Sequence, residues 1–166
     1  MIETELTQRV TSAFKATRWP NDVHCMRCHS DQAVNPAPPS MPRPLGLDVY
    51  HCGQCRYAFS DLTGTVLEKT SRPLWLWAWL VLGGDPATIT LPVGKFGSQR
   101  ARLRDMAARL QDTALAADWK RQLRAMEIRA EQLAPLVEGW AAGNGNRPRG
   151  RYSAATKDPA HRRKAG

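Results

Sequence analysis

Apolar residues recur at helical spacing near both ends of the chain. In residues 1–17, Leu6, Val10 and Phe14 lie four positions apart, which predicts an amphipathic helix that ends before Pro20. Residues 113–142 predict one long amphipathic helix, because their apolar positions alternate in steps of four and three: Trp119, Leu123, Met126, Ala130, Leu133, Val137 and Trp140. Pro135 is expected to bend or break its last turn. The stripe either covers the core or supports a homodimer through residues 119–140.

The middle of the chain holds a run of nine apolar residues, Leu74 to Leu82. Ser71 and Pro73 before it and Gly83-Gly84 after it are start and stop signals, so a buried helix is predicted. Trp75, Trp77 and Trp79 are assigned to its core contacts. A membrane-spanning helix needs about 20 apolar residues, so the run predicts no membrane span.

A cysteine-containing segment lies between these helices. Residues 18–70 include a Pro-rich insert at 35–44, which is predicted to be an exposed loop. Residues 71–112 are predicted to hold the Trp-rich helix and a second helix that runs from Ser98 to about Gln111. The predicted fold is therefore small α+β: β-hairpins in the cysteine-containing segment, then helices, then a disordered basic tail over 143–166.

The four cysteines form two pairs, Cys25-x-x-Cys28 and Cys52-x-x-Cys55. A two-residue spacing lets one tight turn present both sulfurs to one ion, and two such turns complete a tetrahedron of four thiolates. The predicted cofactor is one structural Zn²⁺, whose binding would supply folding free energy to a segment with little apolar content. A closed four-sulfur site has no open position for water, so it is not catalytic.

Three other interpretations of the cysteines stay open at this level. Two disulfide bonds would also account for all four cysteines. No secretory signal is apparent, however, which favours a cytoplasmic location, where disulfides are rare. An iron ion can also be coordinated by four cysteine thiolates at this spacing. Cys25-Met-Arg-Cys28-His29 also matches a haem attachment pattern, which leaves Cys52 and Cys55 unexplained. The four histidines are interpreted as non-ligands, because the cysteines already fill the coordination shell.

Charge favours a nucleic-acid partner. The net charge is +9, and 18 of the 24 basic residues are arginine, the side chain that pairs best with phosphate. The candidate DNA-binding residues lie around the predicted helix after Ser98 and in the tail: Lys95, Gln99, Arg100, Arg102, Arg104, Arg109, Arg147, Arg149 and Arg151. Arg takes guanine edges and Gln takes adenine edges, whereas the tail would bind phosphates without reading sequence. The alternative for both is a solvated basic surface.

The order of motifs in residues 18–83 resembles the N-terminal zinc-ribbon domain of bacterial insertion-sequence transposases. The matching residues are Arg18-Trp19-Pro20, Cys25-x-x-Cys28, Tyr50-His51-Cys52-x-x-Cys55, Tyr57-x-Phe59-Ser60, Thr63-Gly64-Thr65-Val66 and the Trp-rich helix after Pro73. The resemblance implies a zinc ribbon followed by a helix-turn-helix-like region, here residues 71–112. Residues 88–110 are weakly similar to that region, and Ser98 would cap its recognition helix. It also implies double-stranded DNA as a partner, in mobile-element or transcriptional regulation.

The chain departs from that family after the helix-turn-helix-like region. Family members continue into a catalytic domain with three acidic residues that hold two metals, whereas 56 residues follow Leu110 here. We therefore expect DNA binding without enzymatic activity. Two alternatives remain: a docking module for a protein such as a polymerase or a transposase subunit, and a truncated, inactive transposase remnant.

Overall fold

The computed structural model describes residues 2–38, 41, 44–89 and 96–142. Within them it confirms a small α+β fold with five α-helices and one three-stranded antiparallel sheet. The helices are α1 (Ile2–Arg18), α2 (Leu74–Val81), α3 (Phe96–Leu110), α4 (Ala114–Ala125) and α5 (Ala130–Ala142). The strands are β1 (Val34–Pro36), β2 (Val49–Cys52) and β3 (Ala58–Ser60). The predicted disordered tail, 143–166, lies outside the described residues.

Strand β2 is the centre of the sheet, with β1 and β3 as its antiparallel neighbours. Its side chains alternate as strand geometry requires: Tyr50 and Cys52 are buried and His51 is exposed. The interpretation of all of 35–44 as exposed loop is wrong at its start. Asn35 and Pro36 belong to β1, an edge strand, where a proline without an N–H is tolerated.

The main core lies between the helices and is separate from a smaller cluster around the sheet. α1 and α4 meet through Phe14 and Trp119, whose rings contact edge to face at a centroid distance of 4.9 Å. α2 packs against α1, α4 and α5, so most of its side chains are buried. Trp77 and Trp79 are buried in this core and Trp75 packs against it, as the apolar run predicts.

Helix α2 ends where two glycines follow it. Gly83 has φ +94°, a conformation that L-residues with side chains rarely adopt. A Cβ on Gly84 would lie 2.2 Å from the ring of Trp79, so only glycine fits beside that tryptophan. The Gly83-Gly84 pair therefore stops the helix and allows the backbone to pass close to the core.

The prediction of one helix over 113–142 is wrong, because the segment forms α4 and α5. Glu127 adopts φ 55°, its N–H donates to the Arg124 carbonyl, and the Ile128 N–H donates to the Leu123 carbonyl, each at 2.9 Å. This hydrogen-bond pattern is a Schellman motif, which ends a helix. Pro135 does not break α5, which continues from Ala130 to Ala142.

The predicted apolar stripe of 113–142 is used inside the chain. Trp119, Leu123, Leu133 and Val137 are each 0% exposed, and the other three members of the stripe pack against the same core. These contacts agree with the alternative in which the stripe covers the core.

Thr113 caps the N-terminus of α4, and loss of its hydroxyl should lower the stability of the protein measurably. Its hydroxyl oxygen accepts a hydrogen bond from the Ala116 N–H at 3.2 Å. We expect Thr113→Ala to lower the free energy of unfolding by about 1 kcal/mol. Urea denaturation followed by circular dichroism measures this, with Thr113→Ser as the control that keeps the cap. Equal losses in both variants would contradict the capping role.

A membrane span requires a helix that is both long and apolar. Over 2–38, 41, 44–89 and 96–142, each helix is either too short or too polar to cross a bilayer.

Candidate functional site

The fold brings the four cysteine sulfurs together at one end of the sheet. Their Sγ atoms all lie within 4.8 Å of one another. Two contacts join one pair to the other: Cys25 to Cys55 at 3.5 Å and Cys28 to Cys52 at 3.6 Å. Cys25 and Cys52 are buried, and Cys28 and Cys55 are half-buried. The cluster contains every residue predicted as a metal ligand.

Each cysteine pair is held by the same backbone turn. In the first, the Cys25 N–H donates to the Ser30 carbonyl at 2.8 Å, five residues ahead. In the second, the Cys52 N–H donates to the Tyr57 carbonyl at 2.9 Å, again five residues ahead. The chain thus builds one turn twice and places the two copies face to face.

A left-handed residue follows the second cysteine of each turn. His29 has φ 60° and Arg56 has φ 58°, and the N–H of each donates to the carbonyl of the first cysteine in its own turn at 2.9 Å. This conformation is uncommon for residues other than glycine, and His and other polar residues adopt it more readily than β-branched ones. It reverses the chain directly after the sulfurs and directs both of them to one point.

The sulfur positions fit a tetrahedral metal centre. A Zn–S distance of about 2.3 Å gives a tetrahedron whose sulfurs are about 3.8 Å apart. The observed contacts of 3.5 and 3.6 Å are close to that edge length. They are far longer than the S–S bond of a disulfide, about 2.05 Å, and all four cysteines are free thiols. The cluster therefore has the geometry to hold one metal ion.

The protein environment separates the pKa values of these thiols. Burial raises the pKa of Cys25, but the N–H groups of Cys28 and Arg27 together with the side chains of Cys28 and Cys55 bring the pKa down to about 6. Burial, together with the side chains of the other three cysteines, raises the pKa of Cys55 to about 12. A metal ion that binds all four thiolates must therefore displace protons from part of the cluster.

Aromatic side chains enclose the sulfur cluster. Trp19, Tyr50 and Phe59 are buried with Cys25 and Cys52 in the second core cluster. The Trp19 ring meets Tyr50 and Phe59 edge to face at centroid distances of 6.3 and 6.2 Å. This small apolar set limits solvent access to one side of the cysteines.

Asp61 is a functional candidate that the sequence analysis missed. It is fully buried, and it is the one buried charged residue in the part of the chain that the structure describes. Its carboxylate accepts hydrogen bonds from Trp19 Nε1 at 2.7 Å, the Tyr50 hydroxyl at 3.0 Å and the Asp48 N–H at 2.8 Å. Asp61 therefore connects the end of α1 to the central strand beside the cysteines.

Arg18, the residue before Trp19, makes further contacts between α1 and the segment that follows the sheet. It donates to the Thr63 carbonyl at 2.8 Å and lies over the Trp19 ring at 4.5 Å. Burial lowers the pKa of Arg18, and the Asp61 carboxylate opposes that shift. The Arg18-Trp19 dipeptide thus acts as a bridge between the helical core and the sheet.

No family model, curated protein or solved structure matches this chain. Within the structure, a four-cysteine cluster beside a three-stranded antiparallel sheet is a zinc-ribbon-like site. The resemblance to transposase ribbons therefore rests on the motifs in residues 18–83 alone.

The predicted DNA-binding arginines of α3 fall into two groups. Arg102 and Arg104 are exposed. Arg100 donates to the carbonyls of Ala87 and Ile89 at 3.3 and 3.2 Å, which fixes the segment before the helix. Arg109 donates to the Val66 carbonyl and lies 5.3 Å from the Trp77 ring centre. Tertiary contacts thus already engage two of these four arginines.

The remaining predicted residues of α3 and the tail have different outcomes. Lys95, Arg147, Arg149 and Arg151 lie outside the described residues, and so does the side chain of Gln99. Ser98 lies inside α3, which begins at Phe96, so its assignment as the helix cap is wrong. Leu103, Met106 and Leu110 are buried as predicted, and they orient α3 against the core.

Proposed function

We propose that the chain is a non-catalytic zinc-ribbon protein that binds double-stranded DNA. The metal part of this proposal rests on the sulfur geometry, which matches the coordination that zinc prefers. A bound zinc ion would supply cross-linking of the two cysteine turns. With four protein ligands it would have no position for a reacting water, so its role is to stabilise the ribbon.

The DNA part rests on the surface charge of α3 and α4. Residues 96–125 contain seven Lys and Arg residues and three Asp residues. Because the apolar side of each helix is buried, the side of α3 that carries Arg102 and Arg104 faces solvent. An arginine in this setting binds phosphate oxygens, and the excess positive charge gives salt-dependent affinity for duplex DNA.

The transposase resemblance supplies the biological setting. It supports recognition of DNA in a mobile element or in transcriptional regulation, with the ribbon as a scaffold. We propose binding without strand transfer, because four protein ligands leave the sulfur centre no position for a reacting group.

A DNA titration of arginine variants tests this proposal. Each phosphate contact contributes about 0.9 to the slope of log K against log salt. We expect Arg102→Ala and Arg104→Ala each to flatten the slope by about that amount without unfolding the protein. Arg129→Ala is the matched control, because Arg129 is exposed between Glu127 and Glu131. Arg100 is unsuitable, since its loss would release the carbonyls of Ala87 and Ile89.

The outcome separates DNA contact from bulk charge. If all three variants flatten the slope equally, the protein's net charge, not α3, attracts DNA. If none of them changes the slope and binding is intact, Arg102 and Arg104 do not belong to the interface.

A protein-docking function is the second candidate, and one observation favours it. An apolar groove opens between α3 and α4 on the surface of the helical core. DNA binding does not require such a groove.

A further inference from the structure

Helices α3 and α4 leave an open channel between them, which we call the α3–α4 groove. Both helices pack on α2, and side chains of α2 form the floor of the channel. The groove has a volume of about 590 Å³, within the range of about 300–1,000 Å³ that is typical of binding clefts.

Small apolar side chains make up much of the groove walls, beside polar residues that include Gln111 and Thr113. Ala107 and Ala108 line it from α3, and Ala116 and Ala117 line it from α4. Leu80 and Val81 form the floor and are 9% and 8% exposed. Because alanines leave the helix backbones accessible, another helix can approach closely and insert larger apolar side chains.

The rim of the groove is predominantly basic. Arg104 on α3 and Lys120 on α4 both line it, and Asp112 is the one acidic residue in the lining. An occupant with an apolar face would bury that face on the floor of the groove. Carboxylates beside that face would pair with Arg104 and Lys120.

Three other occupants fit these observations less well. A second copy of this chain offers no spare apolar helix among the described residues, where Met41 is the one large apolar side chain that is exposed. Residues 147–166 contain seven Lys and Arg residues and one Asp, so the rim would repel them. Duplex DNA has no apolar surface of helical shape to bury on an alanine-lined floor.

We propose that the α3–α4 groove binds an acidic amphipathic helix of a partner protein. This interaction goes beyond DNA binding and gives the chain a protein-docking surface that shares Arg104 with the proposed DNA contacts. The partner helix would present apolar side chains at positions i, i+3, i+4 and i+7 to the floor and carboxylates to the rim.

A peptide-binding measurement tests the docking surface. The probe is a fluorescein-labelled peptide of about 18 residues, five helical turns, with leucines along one face and glutamates opposite. Its affinity for the metal-loaded full chain is measured by fluorescence anisotropy. A control peptide of the same composition has its leucines dispersed around the helix, which tests whether one apolar face is required. A second control peptide has lysine in place of glutamate, which tests whether carboxylates are required. We expect both to bind at least about tenfold more weakly than the probe.

Matched variants on α3 locate the binding site. Ala108→Trp places a large ring in the groove, whereas Ala101→Trp adds the same ring to an exposed position outside the lining. We expect the first to weaken peptide binding by about tenfold or more and the second to leave it unchanged. Arg104→Glu should weaken peptide binding more than Arg102→Glu, because Arg104 lines the groove and Arg102 does not.

Three results would overturn the proposal. The first is no saturable binding of the acidic peptide. The second is equal effects of the two tryptophan variants or equal affinity for the lysine peptide. The third is a loss of DNA affinity in Ala108→Trp with no loss of peptide affinity, which would assign the groove to nucleic acid. None of these results would by itself remove the proposed DNA contacts of Arg102.

Discussion

Cys52→Ser is expected to abolish metal binding and to unfold the ribbon over residues 18–60. Cys52 is fully buried, it lies 3.6 Å from Cys28 Sγ, and it also ends the central strand. Structural zinc contributes about 10–16 kcal/mol to zinc-finger folding, which exceeds the total stability of many domains. Removal of one ligand therefore leaves the small aromatic cluster around the cysteines too weak to hold the sheet.

Metal analysis and amide hydrogen exchange measure this effect. We expect one zinc per chain in the wild type and almost none in Cys52→Ser. Exchange protection should disappear in the strands and persist in α2 and α4, because the helical core is a separate cluster. His51→Ser is the control, since it introduces the same residue at an exposed neighbouring position. A Cys52→Ser variant that keeps one metal and a protected sheet would show that the cysteines do not form the centre.

Asp61→Ala is expected to give the second largest effect, a loss of about 3–5 kcal/mol in the free energy of unfolding. The substitution removes the acceptor of three hydrogen bonds and leaves the donors on Trp19, Tyr50 and Asp48 buried without it. It also breaks the connection between α1 and β2, so we expect the ribbon to lose metal affinity as well.

Chemical denaturation of three variants tests the role of Asp61. Asp61→Asn keeps the shape and an acceptor oxygen, so its loss should be about half that of Asp61→Ala. Asp31→Ala removes an exposed carboxylate of the same segment and should stay within about 0.5 kcal/mol of the wild type. If Asp61→Ala behaves like Asp31→Ala, the buried network does not stabilise the junction.

The metal centre was predictable because its information is local. Two residues between cysteines define each turn, and the doubled spacing in Cys25-x-x-Cys28 and Cys52-x-x-Cys55 implies one shared ion. The helical core was partly predictable for a similar reason, since Trp119, Leu123 and Val137 keep the periodicity of a buried face.

The features that the sequence analysis missed depend on tertiary contacts or on unusual residue choices. Glu127 occupies a left-handed position where glycine is common, so the break between α4 and α5 has no sequence signal. Asp61 lies in a Ser-Asp-Leu-Thr-Gly stretch that resembles an exposed turn, and it is buried only because Trp19 and Tyr50 fold over it. The contacts of Arg100 with Ala87 and Ile89 likewise exist only in the folded chain.

A salt-dependent DNA titration tests the central claim most directly. It compares the zinc-loaded full chain with a zinc-loaded chain that ends at residue 146, which removes seven Lys and Arg residues and one Asp. The account predicts that the shortened chain still binds duplex DNA with a steep salt dependence and a shallower slope than the full chain. If binding disappears with residues 147–166, the folded part does not bind DNA, and the ribbon and helices serve protein docking instead.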